Sequence, residues 1–192
     1  MRPILSAVVT ILMTLPLAAA TLDVSITDDA GGAVPHAVAY AVPSRPLPLA
    51  RRVAVMDQVD RAFVPHVLPV QTGTWVEFPN SDSIRHMVYS VSPAKRFQLP
   101  LYIGKPARPI QFDKAGVVAI GCNIHEQMGA YIVVVDTPYF GTAANGRVAL
   151  RDLPAGEYTV RVWYPGMRAE PKPQSLTVGA TDQALTFVAS RK

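Results

Sequence analysis

The stretch IGCNIHEQM, residues 120–128, places the only cysteine of a 192-residue chain three positions before a histidine and six before a methionine. Thiolate, imidazole and thioether are soft donors, and together they select copper over magnesium, calcium or manganese. In a continuous strand, side chains three positions apart stand ~10 Å apart. Cys122, His125 and Met128 can therefore meet at one ion only if the chain turns after Cys122. The residues allow this: VVAIGC is an apolar run ending at Gly121-Cys122, Asn123 tolerates turn conformations, and Gly129 opens the next apolar run, AYIVVVD.

A trigonal site needs a second imidazole. His86, in FPNSDSIRHMVYS, follows the polar turn NSDS and begins a strand-like run, which makes it the candidate. His66, in AFVPHVLPV, lacks such a turn and is read as structural, with an outer-shell or second-metal role as its other possibility. His36, beside Pro35, is expected at the surface. Two His and one Cys with a weak axial Met form a blue-copper set, so His86, Cys122, His125 and Met128 are expected to hold one mononuclear copper. Cys122 has a bland alternative, a small buried hydrophobe at the end of a core strand. Met87 is expected to shield the metal or touch it softly, and Glu126 and Gln127 to be solvated.

The context favours ligation. MRPILSAVVTILMTLPLAAA carries one arginine, an uncharged apolar run from Ile4 to Leu17, and small residues at Ala18–Ala20. This is the pattern of a cleaved secretory signal over residues 1–20 and a periplasmic destination. A membrane anchor is the competing reading, but the run is shorter than the ~20 apolar residues of a spanning helix. No stable membrane insertion is expected after cleavage. In an oxidising compartment cysteines pair, so a lone thiol needs another role, and metal ligation supplies one. The net charge of +4 is mild and scattered, and no Lys/Arg run is interleaved with aromatics, so no nucleic-acid partner is expected.

These donors must be positioned by strands. Eighteen prolines and twelve glycines cut the chain into short pieces, and LDVSITD, TWVEFPN, HMVYSVS, GVVAIGC, YIVVVD, RVALRDL, YTVRVWYP, SLTVG and ALTFVAS are rich in Val, Ile, Thr and aromatics. No amphipathic helix of useful length appears, and the expected class is all-β. Residues 41–52 look like a connector and residues 136–146 like a second junction, with Asn145-Gly146 as a tight-turn signal. Residues 95–109, KRFQLPLYIGKPARP, set cations around apolar residues; an ordinary long loop is the commoner fate of such a stretch, a partner-docking face the other.

Two resemblances follow from these motifs. VSITDDAGGAVPHAVAYAV and NGRVALRDLPAGEYTVRVWYPG resemble the two halves of the carboxypeptidase-regulatory-like module, a small immunoglobulin-like sandwich. Residues 63–135 resemble a cupredoxin of the plastocyanin and amicyanin type, through Gly73-Thr74-Trp75-Val76-Glu77-Phe78, Asn80, His86 and Cys122-x-x-His125-x-x-Met128. FVPHVLPVQTGT, FPNSDSIRHMVYSVSPAKRF and GCNIHEQMGAYIVVVDTPYF are more closely similar to the methylamine-utilization MauL-like cupredoxins. The resemblance implies a Greek-key cupredoxin β-sandwich, one copper and periplasmic redox work, with methylamine or related amine oxidation as a setting. The expected organisation is a signal over 1–20, a first part of the immunoglobulin-like module over 21–48, a copper domain over 49–136 and the second part of the module over 137–192. One enlarged sandwich, or two modules in series, are the alternatives. The residue after the first His ligand, often Asn in small blue-copper proteins, is Met87 here, with Asn80 or Asn123 as substitutes.

Three functions remain open at this level. The leading one is a one-electron carrier serving a redox partner protein; the others are copper delivery without electron transfer, and an immunoglobulin-like binding module with a structural metal. No phosphate loop, GxSxG elbow or HExxH motif suggests an enzyme.

Overall fold

The computed structural model describes residues 19–48, 50–106 and 108–190. Residues 1–18, which carry most of the expected signal, lie outside the described residues. Among those described there is no helix, and the all-β expectation holds. The strands are β1 (Ala19–Asp28), β2 (Val38–Pro43), β3 (Val53–Val55), β4 (Asp57–Val59), β5 (Ala62–Val64), β6 (Val67–Gln71), β7 (Thr74–Glu77), β8 (His86–Ser92), β9 (Lys95–Tyr102) and β10 (Ile110–Phe112). They continue with β11 (Gly116–Gly121), β12 (Gly129–Val135), β13 (Phe140–Thr142), β14 (Arg147–Pro154), β15 (Gly156–Trp163), β16 (Gln174–Val178) and β17 (Gln183–Ala189). Ala20 is buried opposite Leu153, so cleavage after Ala20 would start the processed chain within β1, at Thr21.

Two apolar cores organise these strands. In the first, sheet β14-β1-β17 and sheet β13-β2-β15-β16 enclose Leu22, Val24 and Ile26 of β1 with Val148, Leu150, Val160, Val162 and Phe187. Alternate residues of β1 are buried, as a strand with one face on a core requires. In the second, the five-stranded sheet β6-β12-β11-β8-β9 and the sheet β10-β7-β3 enclose Val76, Phe78, Val88, Phe112, Val118, Ile120 and Ile132. The short hairpin β4-β5 adjoins this unit and contributes Phe63 to its core.

Strand β12 joins the two units. Ala130, Ile132 and Val134 face the second core, while Val133 and Val135, on its other face, cluster with Val38, Val67 and Trp163. Being covered on both faces explains why YIVVV is continuously apolar instead of alternating.

Two local expectations can be compared directly. Asn145 and Gly146 both adopt left-handed backbone (φ 51° and 74°), as a two-residue hairpin turn demands, and a Cβ at Gly146 would stand 2.8 Å from the Ile26 carbonyl. The long-loop expectation for residues 95–109 is corrected over 95–102, which form β9 against β8. The cations and Pro100 hid the strand. Lys95 is held by Asp113 at 2.8 Å, and Pro100 is tolerated because β9 is the edge of its sheet.

Ile132 is fully buried at the centre of the second core, whereas Val188, on β17, is largely exposed. Ile132→Ala is expected to lower unfolding free energy by about 2–5 kcal/mol, and Val188→Ala by less than about 0.5 kcal/mol. Urea denaturation of the two variants checks this; equal effects would contradict the placement of the core.

Candidate metal centre

The β11-β12 ladder ends at the pair Gly121↔Gly129, and the residues between form a closed loop. The Cys122 N–H donates to the Met128 carbonyl at 3.1 Å, and the Met128 N–H donates to the His125 carbonyl at 2.9 Å. This is the turn the cysteine-to-histidine spacing required. Cys122 and Met128 are both buried in the second core, His125 is half-buried, and Asn123, Ile124, Glu126 and Gln127 are exposed. The loop thus turns its donors inward and its remaining polar side chains outward.

His86 enters from the neighbouring strand β8 and is completely buried. Its Nδ1 lies 3.9 Å from the Cys122 Sγ, and one ligand atom each from His86, Cys122 and His125 fall within 4.8 Å of one another. Donors bound at ~2.0–2.3 Å to one trigonal ion stand about 3.5–4 Å apart, so the first of these separations already suits a shared metal. The imidazole rings of His86 and His125 have centroids 5.0 Å apart at an interplanar angle of 65°. The Nδ1 of His125 is buried and has no hydrogen-bond partner. A buried polar atom left unpaired is costly, and the ring that carries it lies beside a thiol and a second imidazole. A soft metal ion fits this donor set.

The ring of His86 is fixed from behind. Its Nε2 lies 2.7 Å from a carboxylate oxygen of Asp82, which sets Nε2 as the protonated nitrogen and leaves Nδ1 free as a donor to a metal. Asp82 is itself gripped by the tip of the β4-β5 hairpin, where the N–H groups of Asp60 and Arg61 donate to its two oxygens at 2.6 and 2.9 Å. Both tip residues are left-handed (φ 52° and 60°), which turns their N–H groups toward the carboxylate. The Arg61 N–H, aided by the His86 ring and the Asp60 N–H, holds the Asp82 carboxyl below the usual carboxylate range. Sequence reasoning took NSDS only as a turn. The available signal was an acid four positions before the histidine, but nothing local points to the hairpin that clamps it.

Asn80, buried at the start of this loop, donates through Nδ2 to the carbonyls of Ile84 and Tyr102, both at 2.9 Å, and accepts the Asp82 N–H through Oδ1. It ties the His86 loop to β9 rather than to the cysteine loop, so it does not take the place of the Asn expected after His86. Met87 follows His86 where the register of β8 against β9 shifts, and its side chain is half-buried. Tyr102, paired across from His86, donates its hydroxyl to the Phe78 carbonyl at 2.7 Å; burial pushes its pKa up to about 12. His66 is absent from the cluster and instead contacts His36 and Tyr131.

Asp82→Ala is expected to weaken Cu(I) affinity about 10- to 100-fold, because the His86 ring loses its anchor. Competition against a chromophoric chelator measures this, and an unchanged affinity would remove Asp82 from the site.

No family model matches the chain, and no curated protein is similar to it. Among solved structures, a copper-containing nitrite reductase from Thermus scotoductus is similar at 25% identity and a TM-score of 0.42, covering 50% of this chain and 27% of the reductase chain. The chain therefore spans only about a quarter of that enzyme. A mutant of amicyanin in oxidized form is similar at 21% identity and a TM-score of 0.40, covering 50% of this chain and 99% of that one. A purple cupredoxin from Nitrosopumilus maritimus is similar at 21% identity and a TM-score of 0.37, with 42% and 96% covered.

Proposed function

We propose that this protein is a type 1 copper protein that carries single electrons in the periplasm. The observation that carries this reading is the convergence of one ring nitrogen each of His86 and His125 with the Cys122 Sγ, within 4.8 Å of one another and with His86 Nδ1 3.9 Å from the sulfur. Copper held there would supply the one-electron couple between Cu(II) and Cu(I). The protein's part is to keep the donors where they are in both states. Cys122 is held by its backbone bond to Met128, His86 by Asp82, and Met128 by burial in the core beneath the loop. Met128 is the proposed weak axial ligand. With four protein donors no position is left for a substrate, which favours a carrier over an enzyme.

His125 is the proposed ligand nearest solvent, and the exposed Ile124 beside it offers an apolar contact for a redox partner protein. The apolar stretch at residues 4–17 and the unpaired cysteine support the periplasmic setting. Amine oxidation is the pathway suggested by the similarity of the ligand-bearing segments to methylamine-utilization proteins. In this reading residues 49–136 carry the redox centre, and the flanking segments form the unit that supports it.

The copper-loaded protein is expected to show an intense Cu(II)–thiolate absorption that disappears in Cys122→Ala, and fast reversible voltammetry. A colourless site that surrenders Cu(I) to a chelator would favour delivery instead. Equal affinity for zinc, with unfolding on metal removal, would favour a structural site.

A further inference from the structure

The two remaining histidines of the chain also form a pair. The rings of His36 and His66 have centroids 5.1 Å apart at an interplanar angle of 62°, nearly the 5.0 Å and 65° of the His86–His125 pair. Two imidazoles bound at ~2.0–2.1 Å to one tetrahedral ion place their ring centroids about 5 Å apart. An edge-to-face contact between aromatic rings accounts for their closeness, and the exposed His36 and half-buried His66 leave their nitrogens to solvent. Among the described residues neither ring makes a hydrogen bond, and neither side chain belongs to the copper cluster.

Their places in the fold matter equally. His36 stands in the turn between β1 and β2 of the first unit, and His66 between β5 and β6 of the second. The two rings therefore meet across the joint, beside the apolar contact of Val38 and Val67. His36 is exposed and holds left-handed backbone (φ 57°), a conformation sparsely used by residues other than glycine. His66 is backed by Tyr131, whose ring lies 5.8 Å away and in turn contacts Trp163 at 5.1 Å. One imidazole is accessible and the other is braced.

We propose that His36 and His66 form a second metal site, for a borderline divalent cation such as Zn(II) or Cu(II), that clasps the two units together. Imidazole suits these ions. Two protein nitrogens leave the other positions to water, so the site is weaker than the copper centre and exchanges its metal. Because binding engages both units only when they are docked, metal stabilises the docked state by mass action.

The test uses the full processed chain loaded with copper and equilibrated with micromolar Zn(II), with both metals counted by mass spectrometry. One Zn per chain is expected in addition to copper, and zinc should raise the melting temperature. His36→Ala and His66→Ala should each weaken zinc uptake by at least about tenfold and abolish the zinc-dependent rise in melting temperature. Both should leave the copper–thiolate absorption unchanged, which also shows that the variants fold. His36→Ala, at an exposed position, keeps the test decisive if His66→Ala is unstable. Zinc uptake indifferent to both substitutions, or absent in the wild-type chain, overturns the proposal. If the primary centre takes no copper, the difference in zinc count between wild type and His36→Ala still reports on this site alone.

Discussion

The ladder between β11 and β12, from Gly116↔Val134 to Gly121↔Gly129, fixes the place of every donor in the cysteine loop. A slip of one residue would move the whole strand to the other face. It would carry Ala130, Ile132 and Val134 out of the second core and Val133 and Val135 out of the joint. Because β12 is apolar on both faces, burial on either side disfavours the slip. The register is thus held by two cores at once, and the loop that closes on Cys122 and Met128 inherits that rigidity. A site that does not rearrange would let a bound metal change charge without moving its ligands.

The other arm of the site is built differently. His86 stands on β8, which meets β11 at the single register pair Gly121↔Tyr89. A second constraint comes through its side chain, from the backbone of the β4-β5 tip through Asp82 to Nε2. Asn80 adds a third by stapling the loop before His86 to β9. A carboxylate that accepts two backbone N–H bonds is held in place and stays ionised. It can therefore fix the orientation of the imidazole.

What the sequence disclosed follows from the range of each interaction. Cys122 and His125 were legible because their convergence is local: a strand, a turn and a glycine suffice. His86 was legible from the polar turn before it. The role of Asp82 was not, because it depends on a hairpin more than twenty residues upstream whose tip, Asp60-Arg61, lacks the Asn-Gly or Asp-Gly signature of such turns. The extent of β9 was hidden because edge strands carry charge and proline, the same composition as a loop.

The joint between the units bears on how this architecture holds together. The second unit standing alone would turn Val67, Val133, Val135 and Tyr131 to water, a contiguous apolar patch of the kind that marks an interface or an aggregation hazard. In this chain the patch is covered by Val38 and Trp163, contributed by strands that lie on either side of the second unit in sequence. The cover therefore closes only when segments from either side of the second unit have met, in the antiparallel pairing of β2 with β15 that sets Val38 opposite Trp163. Such distant pairings carry a loop-closure cost that falls before their contacts can repay it. Completion of the outer unit is thus coupled to burial of β12, the strand on which the ligand loop is anchored.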